Sequence, residues 1–256
     1  MLPILVTIGS FKLYSFGVFF ATALFFGLYW WWKLGRDEHL EEVALFDTYF
    51  LSVFAFLIIG RIGYVLTHLS DFENIYRMLG IIAFPGLSFL SGVMGAMLVM
   101  IVSSYYQEWE IWKILDNLAV SFGIIFLIAS VGGLLNGSTP GIPVAWGLQY
   151  PGFAEPRLPL DIVQILWAGI YFVVVSHVRK NFRFFAWYRN DRTVAADGLP
   201  TLVAMAMGGM LYIIRGLLEN SWKVGGVSYY LLGGVMVVLI SSVLIYFSSG
   251  RTLFKK

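Results

Sequence analysis

Cysteine is absent from all 256 residues. The chain therefore has no disulfide, no thiolate metal site and no cysteine nucleophile, and any thiol chemistry needs a thiol that the substrate brings. Charge is nearly as scarce. Only 12% of residues are charged and the formal net charge is +2, too small to mark a nucleic-acid surface. The three histidines, His39, His68 and His177, show no pair at i and i+4, so no ligand-like spacing points to a metal. No cofactor is expected. No repeat of fixed period occurs, and no matched pair of Gly/Pro-broken spans suggests the inverted halves of a secondary transporter. No basic leader and small-residue cleavage pattern flank the first apolar run, so that run is expected to act as its own insertion signal.

What the chain has is apolar length. Hydrophobic residues make up 59% of it, and seven runs are long enough to cross a hydrocarbon layer about 30 Å thick. They are Tyr14 to Trp32, Ala44 to Leu66, Leu87 to Tyr106, Ile114 to Leu135, Leu160 to His177, Leu199 to Leu218 and Ser228 to Phe247. The expected fold is all-α, a polytopic membrane protein with seven transmembrane helices forming a single integral membrane domain over residues 1–256. The last run has no lysine, which removes a retinal Schiff base from consideration.

Basic residues set the expected orientation, since cytoplasmic loops retain Lys and Arg. One set of loops holds Lys33, Arg36, Lys113, Arg179, Lys180, Arg183, Arg189, Arg192, Arg251, Lys255 and Lys256; the other holds only Lys12, Arg77, Arg157 and Lys223. That places the N-terminus outside and the C-terminus in the cytoplasm. Aromatic residues at run ends, among them Tyr14, Phe16, Trp30 to Trp32, Tyr105 and Tyr106, read as interfacial belts. The outer connection Asn136 to Pro159 is rich in Pro and Gly and reads as an ordered loop or short surface element. Another, Asp71 to Phe84, places Phe72, Ile75, Met78 and Leu79 at a spacing suited to an interfacial helix.

Polar residues within the spans gather at the outer side. Arg61 lies near the outward end of an almost wholly apolar stretch, where a guanidinium costs roughly 3 kcal/mol unless it faces a bundle interior, a head group or a water-filled cavity. Ser88 and Ser91 open the third span, Asn136 closes the fourth, Asp161 and Gln164 sit at i and i+3 on the fifth, and Arg215 and Glu219 sit at i and i+4 on the sixth. Asp47 and Asp116 sit near inner span starts, where a carboxylate complements a helix dipole. The outer cluster reads in two ways: a buried ionic network that fixes helix packing, or a site for an anionic head group, because guanidinium groups hold phosphate through paired hydrogen bonds. Such residues can bind a phospholipid, relay an ion pair or act on an ester.

Gly60-Arg61-Ile62-Gly63-Tyr64-Val65-Leu66, then Gly86-Leu87-Ser88-Phe89 and Gly92, resembles the prolipoprotein diacylglyceryl transferase family. Asp116 opening a span that runs to Asn136-Gly137, and Arg215 with Glu219 as an Arg-x-x-x-Glu pair, extend the resemblance over nearly the whole chain. It implies transfer of a diacylglyceryl group from phosphatidylglycerol to the lipobox cysteine thiol of a prolipoprotein, a step of lipoprotein biosynthesis at the bacterial plasma (inner) membrane. The implied partners are an anionic phospholipid and the prolipoprotein lipobox peptide. The implied site has Arg215 and Glu219 in catalysis, with Arg61, Asn136 and Asp161 binding lipid or phosphate. The chain departs from the family pattern at several positions. Leu90 and Leu158 stand where the family has histidine, Ser130 where it has arginine, Gly133 where it has asparagine, and Ser138 where it has glutamate. The family's Gln-x-x-Glu on the fifth span is here Asp161-x-x-Gln164, and its first-span Tyr-Gly is Phe16-Gly17. Two expectations follow: a divergent transferase with Glu219 or Asp161 in place of the missing histidine, or a non-catalytic relative that binds anionic phospholipid or lipoprotein precursor.

Overall fold

Each of the seven apolar runs is a helix in the computed structural model of the chain, which describes residues 2–9, 11–69, 72, 74–80, 86–185, 197–219, 223–224 and 227–248. Arg189, Arg192, Arg251, Lys255 and Lys256, counted above as topology signals, lie outside the described residues, as do Asp71 and Phe84. In chain order the elements are β1 (Ile4–Ile8), β2 (Phe11–Tyr14), α1 (Ser15–Asp37), α2 (Glu42–Thr67), α3 (Ile75–Leu79), α4 (Phe89–Tyr106) and α5 (Ile111–Asn136). There follow β3 (Pro140–Leu148), β4 (Arg157–Pro159), α6 (Leu160–Phe185), α7 (Leu199–Leu218), β5 (Lys223–Val224), β6 (Val227–Ser228) and α8 (Tyr229–Ser248). All helices except α3 have the length and apolarity to cross a membrane, and large apolar side chains such as Phe25, Phe54, Met94, Leu166 and Leu239 face outward on them. The protein is a polytopic all-α membrane protein.

Several helices outrun their apolar segments, because helical hydrogen bonding continues through polar residues that hydropathy excludes. α1 reaches Asp37 and α6 reaches Phe185, while α2 and α5 begin at Glu42 and Ile111. Asp47 and Asp116 therefore lie in the second turns of α2 and α5, too deep for the helix-dipole role expected of them, which fades beyond the first turn.

The chain forms two compact units, residues 31–117 and residues 1–30 with 118–256. In the first, α2 and α4 pack antiparallel at close range. A Cβ on Gly60 would lie 3.3 Å from the Ser88 carbonyl oxygen, one on Gly92 3.0 Å from that of Phe56, and one on Gly95 2.9 Å from that of Ala55. Small residues allow this approach where lipid provides no hydrophobic driving force between helices. The end of α1 joins the same unit through the buried Trp31 indole, which donates to the Leu45 carbonyl at 2.9 Å.

In the second unit α7 and α8 form the tightest pair. A Cβ on Gly216 would come within 2.6 Å of the Leu231 backbone nitrogen, and one on Gly209 within 2.9 Å of the Gly234 carbonyl oxygen. Trp167 of α6 donates to the Met207 carbonyl at 3.2 Å, and Tyr171 of α6 donates to the Ala119 carbonyl of α5 at 2.9 Å. Gly216→Val is expected to force α7 and α8 apart and cost about 1–3 kcal/mol of stability. Gly233→Ala, with nothing within 4 Å of the new methyl, should be neutral or slightly stabilising. Thermal unfolding in detergent distinguishes the two.

Three antiparallel hairpins, β1–β2, β3–β4 and β5–β6, were not anticipated as strands. All belong to the second unit and sit at one end of its helices. β3–β4 links the end of α5 to the start of α6, β5–β6 links α7 to α8, and the Leu2 N–H donates to the Leu135 carbonyl at 2.9 Å, bringing β1–β2 beside the end of α5. The Ser15 hydroxyl also donates to the Leu2 carbonyl. The connection expected as a loop is thus the β3–β4 hairpin, and of the helix expected between Asp71 and Phe84 the described residues show the five-residue α3, whose Asn74 cap accepts from the Arg77 N–H at 3.1 Å.

Candidate functional site

The hairpin end of the second unit collects five of the residues singled out by sequence, Asn136, Asp161, Gln164, Arg215 and Glu219. Arg215 lies in the last turn of α7, where a cation complements the helix dipole, but Glu219 at the C-cap opposes it. What holds Glu219 there is Arg215: its Nε donates to Oε2 at 3.0 Å and its Nη2 meets the same oxygen at 2.8 Å. The guanidinium also lies over the Tyr230 ring, 4.8 Å from its centroid, and Tyr230 is braced by Tyr212 and Tyr229 at 5.5 and 4.1 Å. Arg215 is thereby fixed in orientation with N–H groups left over, since a guanidinium has five donors and these contacts engage two. Both side chains keep part of their surface exposed, 23% for Arg215 and 21% for Glu219, so the pair is open to a ligand.

Asp161 stands in the first turn of α6 and is 2% exposed. Its carboxylate accepts from the Thr139 N–H at 3.2 Å and the Thr139 hydroxyl at 2.5 Å, and Gln164 donates to that hydroxyl at 3.4 Å. Arg215 is near enough for its charge to act on Asp161. A further tie comes from Gly141 of β3, where a Cβ would lie 3.0 Å from the Leu218 carbonyl oxygen at the end of α7. The β3–β4 hairpin therefore braces the ends of α6 and α7 that carry Asp161 and Arg215.

The substituted positions acquire a local explanation here. A Cβ on Gly133 would fall 2.8 Å from Asp161 Oδ1, so the carboxylate occupies the space a larger residue would need. Ser130 returns its hydroxyl to the Phe126 carbonyl at 2.7 Å, and Ser138 accepts from the exposed Asn136 amide at 3.0 Å. Leu158 lies in β4, and Leu90, in the other unit, is 57% exposed on α4. The acid and amide of the fifth span have exchanged places, Asp161 and Gln164 against the family's Gln and Glu, so both groups persist on one face of α6.

Arg61 belongs to the other unit and is 4% exposed. Its Nε donates to the Met78 carbonyl at 2.6 Å, Nη2 to the Arg77 carbonyl at 2.8 Å and Nη1 to the Gly86 carbonyl at 2.9 Å, and Phe72 and Tyr64 flank the guanidinium. Backbone acceptors of this kind leave no mark in the sequence. In this geometry Arg61 ties α3 and the start of the Gly86 segment to α2.

Tyr150 escaped the sequence reading. It opens the turn Tyr150-Pro151-Gly152-Phe153, in which Phe153 N–H donates to the Tyr150 carbonyl at 3.2 Å and Gly152 takes φ +86°, the arrangement of a type II turn with proline and glycine at its centre. The ring is 2% exposed. Burial, and next the Asp161 carboxylate, hold its hydroxyl above the ordinary tyrosine range, near 10. A raised value means the folded state keeps its proton longer than the unfolded chain. The resulting stability is full below pH ~10 and is lost as pH rises through the folded value. Tyr150→Phe should therefore remove part of the alkaline loss of stability, as read by melting temperature against pH.

Comparison with known proteins fits this arrangement. The family model described as prolipoprotein diacylglyceryl transferase matches residues 3–246. A phosphatidylglycerol–prolipoprotein diacylglyceryl transferase of Wolbachia pipientis subsp. Culex pipiens (strain wPip) is 22% identical over 259 residues, covering 95% of this chain and 93% of the relative. One of Acidiphilium cryptum (strain JF-5) is 24% identical over 258 residues, covering 93% and 86%, and one of Mesorhizobium japonicum is 24% identical over 195 residues, covering 71% and 68%. With the match running from β1 through α8, the chain belongs to the prolipoprotein diacylglyceryl transferase family.

Proposed function

We propose that this chain is a phosphatidylglycerol–prolipoprotein diacylglyceryl transferase of the bacterial plasma (inner) membrane, with the hairpin end facing outward and the C-terminus in the cytoplasm. It moves a diacylglyceryl group from an outer-leaflet anionic phospholipid to the lipobox cysteine thiol of a prolipoprotein. The observation that carries this reading is Arg215, oriented by Glu219 and Tyr230 at the end of α7, which Gly141 of β3 meets together with the Leu160 start of α6. In the reaction the thiol loses its proton, sulfur bonds to the glycerol carbon, the carbon–oxygen bond to phosphate breaks, and its electron pair leaves on the phosphate oxygen. Arg215 supplies positive charge where that oxygen gains its charge. Glu219 is better placed than Asp161 to accept the proton, because the ion pair engages its Oε2, whereas both oxygens of Asp161 accept from Thr139. Asn136, exposed at the end of α5, is assigned to the lipid, and Arg61 to shaping the outer connection.

The second reading, a non-catalytic relative that binds anionic phospholipid or precursor, draws support from the residues at Leu90, Ser130, Gly133, Ser138 and Leu158. Reconstitution with phosphatidylglycerol and a lipobox peptide separates the two. The transferase reading expects the cysteine peptide, and not its serine counterpart, to gain the mass of a diacylglyceryl group. No gain, with lipid still bound, supports the second reading.

A further inference from the structure

The β3–β4 hairpin carries an apolar patch built around one cation. Pro143 and Leu148 both stand opposite Arg157, so the residues between them, Val144 to Gly147, form a wide bulge. It is held close, since a Cβ on Gly147 would lie 2.4 Å from the Arg157 carbonyl oxygen. Bulges re-aim side chains, and the one turned out here is Trp146, 74% exposed. Leu148, also exposed, follows two residues later and points to the same face, which is the face of its cross-strand neighbour Arg157. The exposed Phe153 completes the patch, with the Arg157 guanidinium 4.0 Å from its ring centroid.

Two observations point to what covers it. The first is depth. Arg157 stands three residues before Leu160, where the membrane-crossing α6 begins, so at about 3.3 Å per residue the patch lies within about 10 Å of that helix end, at the level of the head groups that flank the hydrocarbon. Tryptophan is favoured at that level because its ring is apolar and its N–H is polar. The second is charge. Arg157 Nη1 donates to the Gly141 carbonyl at 2.9 Å, whereas Nη2 is open at the surface, and among the described residues no carboxylate pairs with the guanidinium. A guanidinium laid on an aromatic ring with donors to spare suits a phosphate. We propose that the β3–β4 hairpin is a membrane-docking element, with Trp146 and Leu148 seated among the head groups and Arg157 Nη2 on the phosphate of a phospholipid. All phospholipids share that phosphate, so the contact anchors the hairpin without selecting a head group. Because Gly141 lies between the ends of α6 and α7, the anchor also steadies the hairpin foot against them. Neither the anchor nor its test depends on transfer.

The absence of cysteine makes the test direct, because Leu148→Cys gives the full chain a unique thiol for a nitroxide label at an exposed position. In vesicles of phosphatidylcholine and phosphatidylglycerol, the label at 148 should collide with oxygen severalfold more often than with a water-soluble nickel chelate. A label on Ala145→Cys, exposed on the other face of β3, should show the reverse. Adding Trp146→Ser or Arg157→Gln to Leu148→Cys should raise chelate access severalfold, while Arg157→Lys, which keeps the charge, should leave it low. A label at 148 open to the chelate overturns the proposal and leaves the patch to a protein partner. Equal access at 145 and 148 overturns it as well, since one face is then not set apart from the other. Chelate access unchanged by both Trp146→Ser and Arg157→Gln overturns the anchoring role of the two side chains.

Discussion

Replacing Arg215 by alanine is expected to lower transfer at least 10²–10³-fold, the range seen when one preorganised donor to a developing oxyanion is lost. Lysine should rescue little. Its ammonium cannot reproduce the Nε and Nη2 contacts to Glu219 while lying flat on Tyr230, so the charge survives without its orientation. The loss should fall on kcat/KM, with melting temperature changed modestly, because the pair is partly solvated and such pairs add little to folding. Glu219→Gln should retain the side-chain volume while loosening Arg215 and removing the proton acceptor, and so lower kcat more than lipid affinity. Single-turnover rates with saturating phosphatidylglycerol separate the two quantities.

Arg61→Ala is expected to behave in the opposite way, with its main effect on stability. Three backbone carbonyls, those of Arg77, Met78 and Gly86, lose a charged donor together, and about 3 kcal/mol or more of stability should go with them. Lysine offers one ammonium in place of a planar fork with three separated N–H directions, so it should recover only part of the loss. Denaturant titration in detergent measures the effect. A fully stable Arg61→Ala protein with weakened lipid binding would instead identify Arg61 as a direct phosphate ligand.

The contrast between these two arginines shows how far sequence carries the argument. Seven apolar runs are legible because hydrocarbon admits so few backbone solutions, and each run became a helix, although α1 and α6 run on past their expected ends to Asp37 and Phe185. Arg215 with Glu219 and Asp161 with Gln164 were legible as helical-face pairs, and their ion pair and shared Thr139 follow from that spacing. Arg61 was legible as an anomaly, but its partners are carbonyl oxygens, which every residue has and no pattern reveals. The hairpins were missed for a different reason: Pro140, Gly141, Pro143 and Gly147 look like breakers, yet they serve β3, whose pairing with β4 is interrupted by register shifts. Tyr150 was hidden within that segment, although Tyr-Pro-Gly-Phe is a turn signal in its own right.

The substitutions at Gly133 and Asp161 carry a related lesson. Taken one at a time against the family pattern they read as losses. Placed in space they are complementary, because the side chain missing from α5 makes room for the carboxylate of α6. Restoring a large residue at 133 alone should therefore be worse than leaving it as glycine.

The most direct test of the account follows both products of one reaction: thioether on the lipobox peptide and glycerol phosphate released from phosphatidylglycerol, in proteoliposomes. The account predicts their appearance in equal amounts with wild-type protein and the loss of both with Arg215→Ala. Undiminished thioether formation by Arg215→Ala, or no product from wild-type protein that binds both substrates, would contradict it.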